Sequence, residues 1–175
     1  DPSNVLSLWS ALGSMVPLFL SYLLSFSLLF TYWRAHHFFV SVYAKNIDAN
    51  LTNINAIFFF FVALVPFSTT LLGEYRENQL SIIIFGIHTI IISFCLFWIR
   101  SYVLNSSTIK NIEVSKQEIQ RGTVRIFVPV IFALLAVLLS FVNKSLSLWL
   151  FTLAVIFNFS HTSTILLSKF IKDLD

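Results

Sequence analysis

Residues 5–33 read VLSLWSALGSMVPLFLSYLLSFSLLFTYW, 29 positions without a single Asp, Glu, Lys or Arg. A helix rises about 1.5 Å per residue, so roughly 20 apolar residues cross the hydrocarbon core of a bilayer, which is about 30 Å thick. Because backbone groups inside a bilayer must be satisfied within the chain, such a stretch predicts a helix. Four further uncharged stretches follow, at residues 49–73, 78–99, 126–143 and 145–168. The sequence therefore predicts an all-α polytopic membrane protein with five transmembrane helices.

These helices and their connections account for nearly all of the 175 residues, as one transmembrane domain. A composition that is 57% hydrophobic and 11% charged leaves no room for a soluble catalytic domain, and we expect no enzymatic activity. Residues 105–124 form the one sizeable polar connection, either a cytoplasmic linker or a short helix on the membrane surface. We expect the helices at about 5–36, 49–73, 78–101, 126–143 and 145–169.

Basic residues are divided unevenly between the two ends of these helices. Helices joined in series put loops 34–48 and 102–125 on the same side as the C-terminus. That side holds nine Lys or Arg residues against two, and the basic excess marks the cytoplasmic side rather than a nucleic-acid partner. An outer N-terminus then predicts an upstream helix and a repeat of six spans. The nine are Arg34, Lys45, Arg100, Lys110, Lys116, Arg121, Arg125, Lys169 and Lys172; the two are Arg76 and Lys144.

Ionisable residues within the five stretches are few. No Asp or Glu lies in them, which argues against a carboxylate relay or a hard-cation site. His88 and His161 lie in different helices, and such a pair can clamp a haem iron. Their depths differ by about 9 Å at about 1.5 Å per residue, so packed or hydrogen-bonded histidines are the expected alternative. We expect no metal site and no bound cofactor.

Trp33, His36 and His37 stand where the first helix leaves the bilayer, and positions i, i+3 and i+4 share one helix face. Asn53 and Asn55 enter the membrane at the same depth on the next helix. An indole, imidazoles and a carboxamide are therefore expected to converge and to hold an ionic motif on a neighbouring helix by hydrogen bonds. The alternative is an interfacial aromatic residue followed by hydrated histidines.

The same residues carry a resemblance to a known family. The run Trp33-Arg-Ala-His-His-Phe resembles the end of the second helix in the transmembrane protein 175 family of potassium channels. The third helix of that family is similar to the run from Asn55 to Tyr75, in the spacing from Asn55 to Pro66 and in the ending Pro-Phe-x-Thr-x-Leu-Leu-Gly-Glu-Tyr. Motif-level similarity covers about residues 22–76.

This resemblance implies a six-helix repeat that forms tetramers in prokaryotic members and dimers of two repeats in animal lysosomal members. The family's first helix lines the pore, with an Arg-x-x-x-Phe-Ser-Asp motif near its cytoplasmic end and large apolar side chains at the constriction. No Phe-Ser-Asp occurs in this sequence, so we expect that helix, and every pore-lining residue, before Asp1. By resemblance, His36 or His37 and Asn55, supported by Trp33, brace the Arg and Asp of the motif.

The leading hypothesis is a passive, potassium-selective leak channel in a prokaryotic cell membrane. It would be a homotetramer with a four-fold pore, in contact with lipid and potassium ions only. A haem-binding redox subunit using His88 and His161 is one alternative. A non-conducting membrane scaffold is another.

Overall fold

The computed structural model describes residues 2–111 and 114–159, and these fold into α-helices joined by short connections. His161, Lys169 and Lys172 lie outside the described residues, as do the side chains of Arg121 and Arg125. The all-α prediction is confirmed for the described part of the chain. The helices are α1 (Pro2–Phe38), α2 (Ala49–Ala63), α3 (Val65–Glu74), α4 (Gln79–Asn105), α5 (Lys116–Ser140) and α6 (Lys144–Phe159).

Three segments of the described residues are long and apolar enough to cross a bilayer. They are Ala49–Glu74, which joins α2 to α3, then Gln79–Asn105 and Lys116–Ser140. The predicted count of five spans is therefore not confirmed. α1 has 37 residues, and α6 is described over 16 residues, which is short of the roughly 20 that a full crossing needs. The chain is an integral membrane protein with at least these apolar helices.

The first helix continues beyond its predicted end at residue 36. α1 runs to Phe38 and passes into a π-helical turn over Phe39–Tyr43, so most of the expected loop 34–48 is helical. Phe39 and Tyr43 are both fully buried, and their ring centroids lie 5.4 Å apart. The expected loop begins at the charged residue Arg34, but burial of these two large aromatic rings stabilises a helical turn instead.

The second span is broken in its middle. The side chain of Asp48 caps the start of α2, since its Oδ1 accepts from the backbone N–H of Leu51 at 2.7 Å. α2 ends at Ala63, and Pro66 stands in the first turn of α3. Because proline has no N–H, the helix ladder cannot run through this point. Leu64 instead donates to the Phe61 carbonyl at 3.1 Å and joins the two helices.

The fourth expected helix begins ten residues before its predicted start at 126. α5 starts at Lys116, so the second half of the predicted polar connection 105–124 is part of this long helix. A capping box explains the start: the Ser115 side chain accepts from the Glu118 N–H, and the Glu118 carboxylate accepts from the Ser115 N–H. The connection between α4 and α5 is therefore shorter than 105–124 and occupies residues 106–115.

The helices pack in a chain of neighbours around α4. α2 and α5 both lie against α4, α6 lies against α5, and α1 lies against α3. The α4–α5 contact is closest at Gly86, where an added Cβ would collide with the Val137 side chain. Small residues allow helices in a membrane to approach in this way.

Candidate functional site

His36 and Asn55 meet where α1 approaches the start of α2. His36 Nε2 lies 3.0 Å from Asn55 Oδ1. Because an amide oxygen only accepts, the imidazole Nε2–H donates, and in the neutral ring Nδ1 then keeps its lone pair. The sequence predicted that the α1 histidines and Asn55 lie at one level, and the structure brings His36 to Asn55.

Two aromatic rings hold the His36 imidazole in place. The ring of Phe58 stacks on it with centroids 5.0 Å apart and an interplanar angle of 7°, and the ring of Phe59 lies at 5.0 Å with a tilt of 58°. Phe58 is fully buried, so it forms a fixed wall for the imidazole. Packing on both sides reduces the rotamer freedom of His36 and fixes the direction of its hydrogen bond.

Trp33 and His37 form a separate pair on the outside of α1. Their rings stack with centroids 5.2 Å apart and an interplanar angle of 10°, and Trp33 is 51% exposed. Consecutive residues of a helix point about 100° apart, so His36 and His37 cannot both face α2. The expected convergence therefore divides into an inner His36–Asn55 pair and an exposed Trp33–His37 pair.

A second polar link, which the sequence analysis did not find, joins α1 to α3. The buried hydroxyls of Ser25 and Thr69 are hydrogen-bonded to each other. Ser25 lies 11 residues before His36, about 16 Å along the helix axis at about 1.5 Å per residue. Hydrogen bonds at two depths therefore join α1 to the interrupted span formed by α2 and α3. The hydroxyls flanking Pro66 were a visible signal, but their partner depends on the packing of α1.

His88 bridges the break between α2 and α3. Its Nδ1 lies 2.8 Å from Ser68 Oγ and its Nε2 lies 2.9 Å from the Phe61 carbonyl oxygen. Both ring nitrogens are therefore engaged in hydrogen bonds, and neither points at a metal. His161, the other ligand of the haem alternative, lies outside the described residues. Within those residues, no group of three or more His, Cys, Asp or Glu side chains is placed to hold a metal ion.

The two basic loops meet at one end of the molecule. Ala44 and Lys110 form an isolated antiparallel bridge, in which the Lys45 N–H donates to the Ile109 carbonyl at 2.7 Å. The Tyr43 hydroxyl donates to the backbone carbonyl of Glu118 at 2.5 Å. These bonds hold the end of α1 against the start of α5, so loops 34–48 and 102–125 lie at the same end, as the sequence predicted.

Comparison with known proteins relates the N-terminal part of this arrangement to one family. Residues 2–66 match the family described as the endosomal/lysosomal potassium channel TMEM175. The N-terminal part of the chain is thus similar to this family over 65 of its 175 residues. The matched residues include α1, the π-helical turn and α2, and they carry both His36 and Asn55. The resemblance seen in the sequence is thereby confirmed.

A bacterial protein is also similar to part of this chain. A protein of Streptomyces collinus (strain DSM 40733 / Tue 365) that is named a potassium channel is 33% identical to this chain over 85 residues. The alignment covers 48% of this chain and 41% of that protein, so the chain spans less than half of the relative's length. No solved structure gives a significant match.

Proposed function

We propose that this chain forms the outer helices of a passive, potassium-preferring cation channel. The observation that carries the proposal is the match of residues 2–66 to a potassium-channel family, together with a bacterial relative named a potassium channel. The apolar helices supply the membrane setting that conduction requires. The permeant ion would be potassium, and the path would need no bound cofactor.

An exposed apolar ridge on α1 supports a further helix beside it. Side chains three or four residues apart along one face are each between 36% and 63% exposed. This spacing suits the packing of one helix against another. In the proposal a pore-lining helix, supplied by residues outside this sequence, lies along the ridge. The ridge consists of Leu8, Leu12, Met15, Phe19, Tyr22, Phe26, Phe30 and Trp33.

The His36–Asn55 pair would brace the pore helix at one end of this ridge. In the described residues, His36 Nδ1 and the Asn55 amide NH₂ have no further hydrogen-bond partner. One acceptor and two donors therefore remain for an Arg and an Asp of the kind that the family resemblance implies. Trp33 and His37 would cover this contact from the exposed side of α1. The role is positional, because neither residue needs to touch the ion.

Assembly and orientation complete the proposal. Four copies around a four-fold axis would place four pore helices at the centre and the present helices outside them. Large apolar side chains on the pore helices would then control wetting of the conduit. The end that carries Lys45 and Lys110 would face the cytoplasm, because basic loops are retained on that side. A bacterial relative favours a prokaryotic cell membrane.

Ion flux into liposomes tests this function. Full-length protein, including any residues that precede Asp1 in its gene, is reconstituted with internal potassium and an external sodium salt. We expect potassium efflux that exceeds the efflux of sodium in the mirrored gradient. Empty liposomes and liposomes with heat-denatured protein are the controls. A correctly inserted tetramer without potassium permeability would contradict the proposal.

A further inference from the structure

Arg100 is a cation at the membrane edge without a counter-charge in the described structure. It lies five residues before the end of α4, half-buried against the first turns of α5. Its Nη2 donates to the Ile119 carbonyl at 3.5 Å, which is longer than the usual range of about 2.7–3.2 Å for such a bond. That carbonyl already accepts from the Thr123 hydroxyl at 2.8 Å. Arg100 therefore gains little from this contact.

The surroundings of the Arg100 guanidinium are partly sealed. Its Nε is buried and has no hydrogen-bond partner, and the side chain forms no ion pair with any residue among 2–111 and 114–159. A partly desolvated cation is costly unless an anion or several acceptors approach it. Arg76 at the opposite end is the contrast, since it is highly exposed and lies 4.0 Å from the Glu77 carboxylate. Within residues 2–111 and 114–159, no carboxylate neutralises Arg100, so its guanidinium is open to an anion from the surroundings.

The position of Arg100 indicates which anion is within reach. It stands near the end of a candidate span, at the depth where the polar headgroups of a bilayer begin. A guanidinium matches the oxygens of a phosphate group with parallel hydrogen bonds. Residues 100–125 contain five basic and two acidic side chains, so the local field also attracts anions.

Two aromatic side chains lie one turn deeper on the same two helices. Phe97 precedes Arg100 by three residues on α4, and Phe127 follows Thr123 by four residues on α5. Their rings approach edge to face at 6.1 Å, and they remain 36% and 46% exposed. An apolar surface directly below a cation fits a phosphate that carries acyl chains better than a soluble phosphate ion.

We propose that Arg100, Phe97 and Phe127 form a binding site for one anionic phospholipid. The guanidinium Nη groups donate to the lipid phosphate, and the two rings contact the upper part of its acyl chains. The site requires that this end of α4 and α5 lies at a membrane surface. It does not depend on ion conduction, and it goes beyond the channel function proposed above.

Native mass spectrometry of the full-length protein tests the site. The probes are phosphatidylglycerol and phosphatidylcholine with identical acyl chains, mixed at equal concentration. We expect the unsubstituted protein to retain more phosphatidylglycerol, and Arg100→Gln to lower that preference about tenfold, as expected for loss of a charge-assisted hydrogen bond. Arg100→Lys should keep part of the preference, and Arg76→Gln should keep all of it.

A second comparison separates a lipid from a soluble anion. Phe127→Ala should weaken retention of phosphatidylglycerol while size-exclusion chromatography shows an intact assembly. Glycerol phosphate, which has the same charged group without acyl chains, should not displace the lipid at equal concentration. Full displacement would overturn the assignment to a lipid. Equal retention of the two lipids by the unsubstituted protein would overturn the site itself, whether or not the Arg100→Gln variant folds.

Discussion

Asn55 offers the most direct test of the candidate site. Replacing Asn55 with Leu removes the acceptor of the His36 imidazole and costs about 1 kcal/mol, the usual net worth of one hydrogen bond. In the full-length protein we expect weaker tetramers and lower potassium flux. Asn53→Leu is the matched control, because Asn53 is exposed on the same helix. Equal behaviour of the two variants would remove the bracing role.

His88 is predicted to stabilise the break between α2 and α3. His88→Leu leaves the Ser68 hydroxyl and the Phe61 carbonyl without their shared partner, and should lower the free energy of unfolding by about 1–2 kcal/mol. His37→Leu, the same change at an exposed position, should have little effect on thermal unfolding in detergent. A haem absorption band in purified protein would contradict this account, because both His88 ring nitrogens already form hydrogen bonds and cannot bind iron.

Individual contacts were only partly predictable from the sequence. Helical spacing and span depth placed His36 and Asn55 at one level, and their hydrogen bond is observed. Spacing could not decide between His36 and His37, because the choice depends on the rotation of α1 about its own axis. The pairing of His88 with Ser68 was equally out of reach, since it depends on how α4 is aligned with α3.

The start of α2 is expected to respond to acid through Asp48. The Leu51 N–H and the Tyr102 hydroxyl both donate to the Asp48 carboxylate and lower its pKa below the usual value. A carboxyl whose folded pKa is lowered stabilises the fold above its unfolded pKa of about 4, and this contribution is lost as the pH falls through the lower folded value. Asp48→Asn should flatten this acid limb of the unfolding curve. An unchanged limb would contradict the cap.

Close contact between α4 and α5 depends on Gly86. Gly86→Ala introduces a Cβ that collides with the Val137 side chain, and overpacking of this kind costs about 1–3 kcal/mol. We expect a lower melting temperature, with recovery when Val137→Ala is added. Gly13→Ala serves as the control, because nothing lies near an added Cβ at that position. Lack of recovery in the double variant would show that the Val137 contact is not the cause.

Element boundaries show why apolar length alone is an incomplete signal. The uncharged stretch begins at Ile126, so the preceding segment 116–125, which contains four charged residues, was assigned to a connection. In the structure this segment forms the first turns of α5. The capping box at Ser115 and Glu118 was readable in the sequence and marks the true start. The π-helical turn over Phe39–Tyr43 had no comparable local signal, because it depends on the burial of both rings by other elements.

At the scale of the molecule, α1 carries more exposed large hydrophobic side chains than any other helix of the described residues. It is fastened inward at Ser25 and His36, and joined to the start of α5 through Tyr43. An adjacent face, about a quarter-turn away at about 100° per residue, carries the apolar ridge over the described side chains from Leu8 to Trp33. These three hydrogen bonds fix the orientation of the ridge relative to the other helices. A helix packed against the ridge would therefore be positioned by the rest of the molecule.

Substitution of the ridge therefore tests the proposed assembly. The double change Phe19→Ala and Phe26→Ala removes two exposed rings from the middle of the ridge without touching the contact of α1 with α3. We expect loss of tetramers by light scattering and loss of potassium flux, while helical content by circular dichroism is kept. The control replaces two exposed apolar residues of α5, Leu134 and Leu138, with Ala. If both double variants remain tetrameric and conduct equally, α1 faces lipid and the pore helix must lie elsewhere.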